Sequence, residues 1–268
     1  MWPNRSRQAL ADDVCNGPAA IRAAMLNGVP HGFFGRDGGV SRGEVAGLQL
    51  GFGAEDDAAN VAENRGRAIA AVLPGAQLAM PFQVHSPDVA IATGPMEGDE
   101  RPRVDALVTT TRGLLVGVVT ADCAPVLLAD EQAGVVAAAH AGWRGAKGGV
   151  LSNTVEQMVS LGATRENIAA AIGPTIAQAS YEVDAGFRNA FLADNRASAR
   201  FFTEGEPGHF QFDLPGFVAA QLHAAGIERV ENLALDTYAA PARFYSFRRA
   251  THQGEATYGR QGAFIGLA

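Results

Sequence analysis

Short apolar runs, each closed by Gly, Pro or Asp, dominate the middle of the chain. Leu114–Thr120 and residues 126–129 and 134–139 are too brief for helices and rich in Val, so they predict three buried strands. Joining the last two through Asp130-Glu131-Gln132-Ala133 gives a hairpin whose partners sum to 263, with Cys123 opposite His140. Opposite residues of an antiparallel pair share a face, with Cβ atoms about 5 Å apart, close enough to hold one ion between them. Pro125 interrupts the ladder, and a bulge at Gly134 would slip the register by one. Helical periodicity over residues 57–73 puts Val61, Ala62, Ala68, Ile69, Val72 and Leu73 inward, with Pro74-Gly75 as the stop. A second amphipathic helix follows Gly149, with Val150, Leu151, Val155, Met158 and Val159 inward and a stop at Gly162. Residues 183–192 and 214–225 predict two more, the latter with Asp213 as N-cap and Pro215 in its first turn. Residues 48–53, 77–85, 88–93, 104–110, 167–172, 228–233 and 263–267 predict further strands.

Strands and helices interleave irregularly, and no repeat or low-complexity linker divides the chain. This predicts an α+β fold, with mixed β-sheets layered with α-helices in a single domain over residues 19–268 and a loosely ordered extension over residues 1–18. The composition, 47% hydrophobic and 18% charged, suffices for a sizeable core. A net charge of −7 with no basic stripe speaks against a nucleic-acid partner. No apolar run reaches membrane-span length, and the first residues lack the apolar stretch of a secretory signal. Cys15 and Cys123 alone make no disulfide framework, which fits a reducing cytoplasm. The oligomeric state is not legible.

Three soft donors stand out: His85, Cys123 and His140. Two imidazoles and a thiolate suit catalytic zinc, which takes three protein ligands and keeps a fourth position open; a thiolate also suits copper. Separations of 38 and 17 residues match no compact zinc-finger pattern, and taken alone each residue is better read as a packed polar side chain. The stretch Ala141-Gly142-Trp143-Arg144-Gly145-Ala146-Lys147-Gly148-Gly149 opens a helix. It reads equally as an anion cradle using Arg144 or Lys147 and as a tight turn with Trp143 in the core. Phe244-Tyr245-Ser246-Phe247-Arg248-Arg249 and Tyr258-Gly259-Arg260-Gln261 combine rings with guanidinium groups, a set that stacks on a base and clamps a phosphate, or else forms a solvated edge.

Together these segments carry a resemblance. Thr120-Ala121-Asp122-Cys123 with Pro125, Gly134 through Gly145, Ala171-Ile172-Gly173-Pro174 and Ser180-Tyr181-Glu182-Val183 resemble the YfiH-type laccase-domain family. Gln83-Val84-His85 and Ser246-Phe247-Arg248-Arg249 match it as well, and the similarity runs from about Gly32 to Leu267. Ser86, Gln49 and Asp236 stand where the family usually carries Gly, Asn and a frequent Cys, and residues 251–257 lengthen a loop. The resemblance implies a complex α+β fold and metal ligands His85, Cys123 and His140, the same three serving catalysis. It also implies phosphorolysis of adenosine, inosine and methylthioadenosine, with adenosine deamination as a side activity. The partners would be a purine nucleoside and phosphate. Zinc is the expected ion and copper the alternative, polyphenol oxidation being the family's older label. Arg144, Arg248 and Gln83 are the candidate substrate contacts. Six histidines are too few for a multicopper oxidase, and the H-x-E/P-C-x-x-C zinc deaminase pattern is absent. The alternatives are a cysteine or zinc amidohydrolase on a cell-wall precursor, with Cys123 as nucleophile and His140 as base, and a metal-binding protein without turnover.

Overall fold

The run of residues 135–139 shows no polar alternation because both its faces are covered. The computed structural model describes residues 17–96 and 98–268. Its first half supplies β1 (His31–Phe33), α1 (Ala58–Val72), β2 (Gln77–Ala79), β3 (Val89–Ile91), β4 (Ala106–Thr109), β5 (Leu114–Thr120), β6 (Ala124–Asp130) and β7 (Val135–Ala141). Then come α2 (Trp143–Gly148), α3 (Val150–Ser160), β8 (Ala169–Ile172), β9 (Glu182–Asp184), α4 (Ala185–Asp194), β10 (Phe202–Glu204) and β11 (His209–Phe212). The chain closes with α5 (Leu214–Ala224), β12 (Arg229–Asn232), α6 (Phe247–Gln253) and β13 (Gln261–Gly266).

Two mixed sheets form the centre, one ordered β12-β8-β6-β7-β4-β3 and the other β1-β13-β5-β2, while β10-β11-β9 make a small third. Leu127, Val136 and Ala138 of the six-stranded sheet pack on Val116, Val118 and Ile265 of the four-stranded one. Alternate residues of the same strands, Val126, Leu128 and Ala137, face Leu151, Val155 and Met158 of α3 and Phe217 and Leu222 of α5. On the far side, Ala68 and Val72 of α1 cover Leu115 and Phe264. The result is a single α+β domain in four layers, helix, sheet, sheet, helix. Among the described residues no helix is long and apolar enough to cross a membrane.

The central hairpin corrects the expected register. Its partners sum to 265, pairing Asp130 with Val135 and Pro125 with His140. Asp130 belongs to the strand: its carboxylate accepts the N–H groups of Ala133 at 3.0 Å and Thr164 at 2.9 Å. The turn therefore starts one residue later, with Gly134 taking its left-handed position at φ +64°. A slip of two preserves the face of every side chain, so His140 still points between the sheets, while Cys123 sits one residue ahead of β6.

The expected strand over residues 77–85 ends at Ala79. Beyond it, the Gln83 side chain takes over the pairing role: its amide donates to Val119 O at 2.8 Å, and its oxygen accepts from Val119 N at 2.9 Å. Residues 48–53 form no strand; Asn64 donates to Gln49 O there, and Leu50 N reaches Arg260 O. α4 starts at Ala185, after residues 182–184 pair as β9, because Asp184 caps it through Phe187 N. α6 was not expected; Ser246 caps it through Arg249 N at 3.1 Å. α1 and α5 begin where expected, after Asp57 and Asp213, each bonded to an N–H of the first turn. The expected extension lies, up to residue 16, outside the described residues, as does Cys15.

Leu127 is fully buried between the two sheets. Leu127→Ala should cost about 2–5 kcal/mol in urea denaturation, whereas Met25→Ala, at an exposed position, should stay within about 0.5 kcal/mol.

Candidate active site

Three separate stretches deliver the donors. His85 lies on the loop after β2, Cys123 on the link between β5 and β6, and His140 on β7. Their ligand atoms lie within 4.8 Å of one another. His85 Nε2 stands 3.9 Å from Cys123 Sγ, and the two imidazoles meet edge to face at 4.8 Å between centroids.

One carboxylate sets this geometry. Asp105, fully buried just before β4, accepts the His140 Nδ1–H at 2.7 Å. It also accepts the backbone N–H groups of Val84 at 3.1 Å, His85 at 2.9 Å and Ser86 at 2.6 Å. His85 has a φ of +62°, uncommon for a residue with a Cβ, and this left-handed turn helps aim three consecutive N–H groups at one anion. With Nδ1 of His140 committed, its Nε2 lone pair is left for a ligand. Burial pushes the Asp105 carboxyl up, but the bond from His140 and the backbone donors outweigh it and hold the group at about 2.

The thiol and the imidazole shift each other. Burial raises Cys123, yet the charge of His140 and the bonds from both histidines bring it down to about 6. Burial lowers His140, but Cys123 and Asp105 lift it to about 9. These shifts favour a thiolate beside an imidazolium at neutral pH, the charge of each stabilising the other. A thiolate and two imidazoles converging within 4.8 Å, with one side open to solvent-filled space, fit a three-ligand metal centre.

Gly142 is required beside them: a Cβ there would lie 2.9 Å from Cys123 Sγ and 3.0 Å from His85 Cδ2. Cβ atoms at Gly145 and Gly148 would meet Ser86 O at 3.1 Å and Pro87 Cβ at 3.6 Å. Gly142 and Gly145 serve the close packing of α2 on the His85 loop, whereas at Gly148 a Cβ would make an ordinary contact. Trp143 is half-buried against Phe187, at 4.9 Å between ring centroids.

Two cavities open onto the donors. The larger, about 540 Å³, reaches all three and is lined by Phe52, Phe82, Phe247, Arg65, Arg101 and Arg260. The smaller, about 190 Å³, touches His85 and Cys123 and is lined by Trp143, Arg144, Tyr181 and Arg248. Arg144 stacks on Trp143 at 5.0 Å. Arg248 lies 5.2 Å from the Tyr181 ring and donates to Glu182 O at 2.7 Å. Arg144 and Arg248 thus share one cavity, while Gln83 edges the other with its amide bonded to β5.

Asp105 and Asp122 were not singled out as site residues in the sequence. Asp122, buried at φ +86°, accepts from Thr237 Oγ1 at 2.6 Å, Ser246 Oγ at 2.9 Å and Arg248 N at 2.7 Å. It fastens the start of α6, and with it Phe247 and Arg248, to the residue before Cys123. Its only trace in the sequence is its place beside that cysteine; that of Asp105 is an acid opening an apolar strand. Arg249 serves structure, bonding the carbonyls of Thr237, Tyr238 and Phe244.

Asp105→Asn should weaken metal binding about 10–100-fold in chelator competition, the usual effect of losing a carboxylate that orients a ligating histidine. Metal binding at pH 7.5 should release about one proton, from His140, because the thiol is already ionised. Below pH 6, where the thiol itself holds its proton, the release should rise. Calorimetry in buffers of different ionisation enthalpy measures this; no proton release at pH 7.5 would contradict the ion pair.

Comparison with known proteins follows the same lines. A family model described as multi-copper polyphenol oxidoreductase laccase matches residues 30–268. A purine nucleoside phosphorylase of Deinococcus radiodurans is 43% identical over 258 residues, 94% of each chain. One from Streptomyces griseus is 40% identical over 255 residues, 92% of this chain and 98% of that one. YlmD from Geobacillus stearothermophilus superposes with a TM-score of 0.83 at 30% identity, over 94% of this chain and 97% of that one. YfiH from Bacillus licheniformis gives 0.84 at 26%, with the same coverage. The chain belongs to the YfiH-type laccase-domain family.

Proposed function

We propose that this chain is a metal-dependent purine nucleoside phosphorylase with adenosine deaminase side activity, using His85, Cys123 and His140 as ligands, with zinc as the ion. The observation that carries it is the meeting of two unlike cavities at the donors. The larger lies within the roughly 300–1,000 Å³ of small-molecule sites and the smaller below it. Of five large apolar side chains left exposed among the described residues, Phe52, Phe82 and Phe247 line the larger cavity, and these rings suit a purine. The relatives named purine nucleoside phosphorylase support the same reading.

Breaking an N-glycosidic bond builds positive charge on the sugar, which a phosphate dianion stabilises and then traps at C1′. Arg144 and Arg248 would hold that dianion in the smaller cavity, facing a nucleoside whose base rests on the rings of the larger. An ion on the three donors would supply Lewis acidity for an oxygen of phosphate or water. Asp105 would keep His140 in the ligating tautomer throughout.

One arrangement supports a second reading: Cys123, His140 and Asp105 line up as thiolate, imidazolium and carboxylate, the order of a cysteine hydrolase. Activity surviving full metal removal would favour it.

Product analysis on adenosine and inosine, with protein of known metal content, decides the matter. Cleavage should depend on phosphate and give ribose 1-phosphate and free base, while deamination should need no phosphate. Arg144→Ala should slow the phosphate-dependent step about 10–100-fold, the worth of a charge-assisted contact, and spare deamination. Phosphate-independent release of free ribose would make the protein a nucleoside hydrolase.

A further inference from the structure

The larger cavity holds more positive charge than a neutral nucleoside can use. Arg65, Arg101 and Arg260 all line it, and no Asp or Glu does so among the described residues. Nor does any of the three form an ion pair there. Their partners are neutral: Arg65 donates to Leu50 O at 2.9 and 2.8 Å, and Arg101 to Gly98 O at 2.8 Å. Arg260 donates to Phe52 O at 3.3 Å and Tyr258 Oη at 3.2 Å. A guanidinium has five donors, so each keeps N–H groups to spare.

Two of them share one ring, and Arg260 bonds the backbone oxygen of the same residue. Arg65 lies 4.0 Å and Arg101 5.7 Å from the same Phe52 ring, and Arg101 is 5.6 Å from Phe82. Burial, and then the charge of Arg101, bring the Arg65 guanidinium down to about 10, which an anion between them would reverse. In a protein of net charge −7, such a cluster inside a low-dielectric cavity focuses a positive potential on whatever enters. In the proposed phosphorolysis, inorganic phosphate already has Arg144 and Arg248 on the other side of the donors. Adenosine, inosine and methylthioadenosine carry no anion for this side.

We propose that the larger cavity binds a purine nucleoside 5′-monophosphate, with its base on the exposed rings and its phosphate monoester held by Arg65, Arg101 and Arg260. The choice of a purine rests on the phosphorylase reading; the anion site rests on the arginines. A mononucleotide would therefore be a tighter ligand than its parent nucleoside, entering as a substrate or as a competitor of the neutral one.

The test is calorimetric binding of adenosine 5′-monophosphate and of adenosine to metal-loaded protein at constant ionic strength. The monophosphate should bind at least tenfold more tightly, and its advantage should shrink with added salt. Arg260→Gln should cut the ratio of the two affinities about tenfold. Arg101→Gln, which among the described residues gives up one hydrogen bond to a loop carbonyl, should do the same if the first variant folds poorly. Equal affinities, a ratio unmoved by both variants, or absence of nucleotide binding would overturn the proposal. So would inorganic phosphate displacing the monophosphate and losing its own affinity in Arg101→Gln, since the arginines would then be a free-phosphate site. Adenosine phosphorolysis without preference for the monophosphate sinks this inference alone. A preference for the monophosphate without phosphorolysis sinks only the reading of the reaction.

Discussion

The Asp105 carboxylate is the contact on which the centre depends. A buried carboxylate without partners would take up a proton; here four donors fill its two oxygens, three from one turn of backbone and one from an imidazole. The same bonds do two structural tasks. They hold the left-handed turn that carries His85, a conformation costing about 1–3 kcal/mol where nothing compensates it, and they fix the ring of His140. Two of the three donors, from distant parts of the chain, are thereby referred to one anion, and Asp105 O also accepts the His140 N–H at 2.7 Å. Movement of either histidine breaks hydrogen bonds to a fully buried carboxylate.

Asp122 repeats the device on the other side of Cys123, with a different balance. It too is buried, it is itself left-handed, as Asp105 is not, and it collects Thr237, Ser246 and the N–H of Arg248. Burial outweighs those bonds and raises its pKa, whereas the imidazole keeps Asp105 low. Asp122 therefore acts as a clasp. It gathers the segment before Cys123 and the head of α6, while its backbone oxygen takes Thr175 Oγ1 and Ile176 N. Asp236 extends the clasp by binding Ser180 Oγ and Ala177 N, next to Tyr181. The smaller cavity is built from what these two acids hold.

Much of this was legible in the residues. Buried strands such as Leu114–Thr120 show as unbroken apolar runs because both faces are covered, and Asp57 and Asp213 announce their helices by side-chain caps. The hairpin register was not legible, because Asp130 resembles a turn residue until its carboxylate is seen bonding Thr164 N, 34 residues away. The end of β2 was hidden for a similar reason, as Gln83 imitates a strand with its side chain. The three donors lie on segments that meet only in three dimensions, so their spacing matched no compact metal pattern; their residue types made them stand out, and family likeness made them a site. Asp105 escaped both routes. A lone acid at the mouth of an apolar strand looks like an ordinary boundary, and its role rests on donors 19 to 35 residues away.

The family's description speaks of several coppers, and the arrangement of donors sets a limit on that chemistry. A multicopper oxidase passes electrons from a thiolate-bound copper to a separate cluster, which needs a second and larger set of imidazoles. Among the described residues, His85, Cys123 and His140 are the one group placed to hold an ion. His31 is committed on both nitrogens, to Ala23 N and Val29 O, and His223 bonds Ile227 O. His252 meets Tyr238 Oη, and His209 lies on the strand pairing with Asp184. The described residues therefore supply one centre for one ion. On a dication held there, the thiolate would cancel part of the charge and the Asp105 carboxylate behind His140 would cancel more, which would leave the open side nearly neutral. Charge selection among ligands would then fall to the arginines that line the two cavities, Arg65, Arg101 and Arg260 in one and Arg144 and Arg248 in the other.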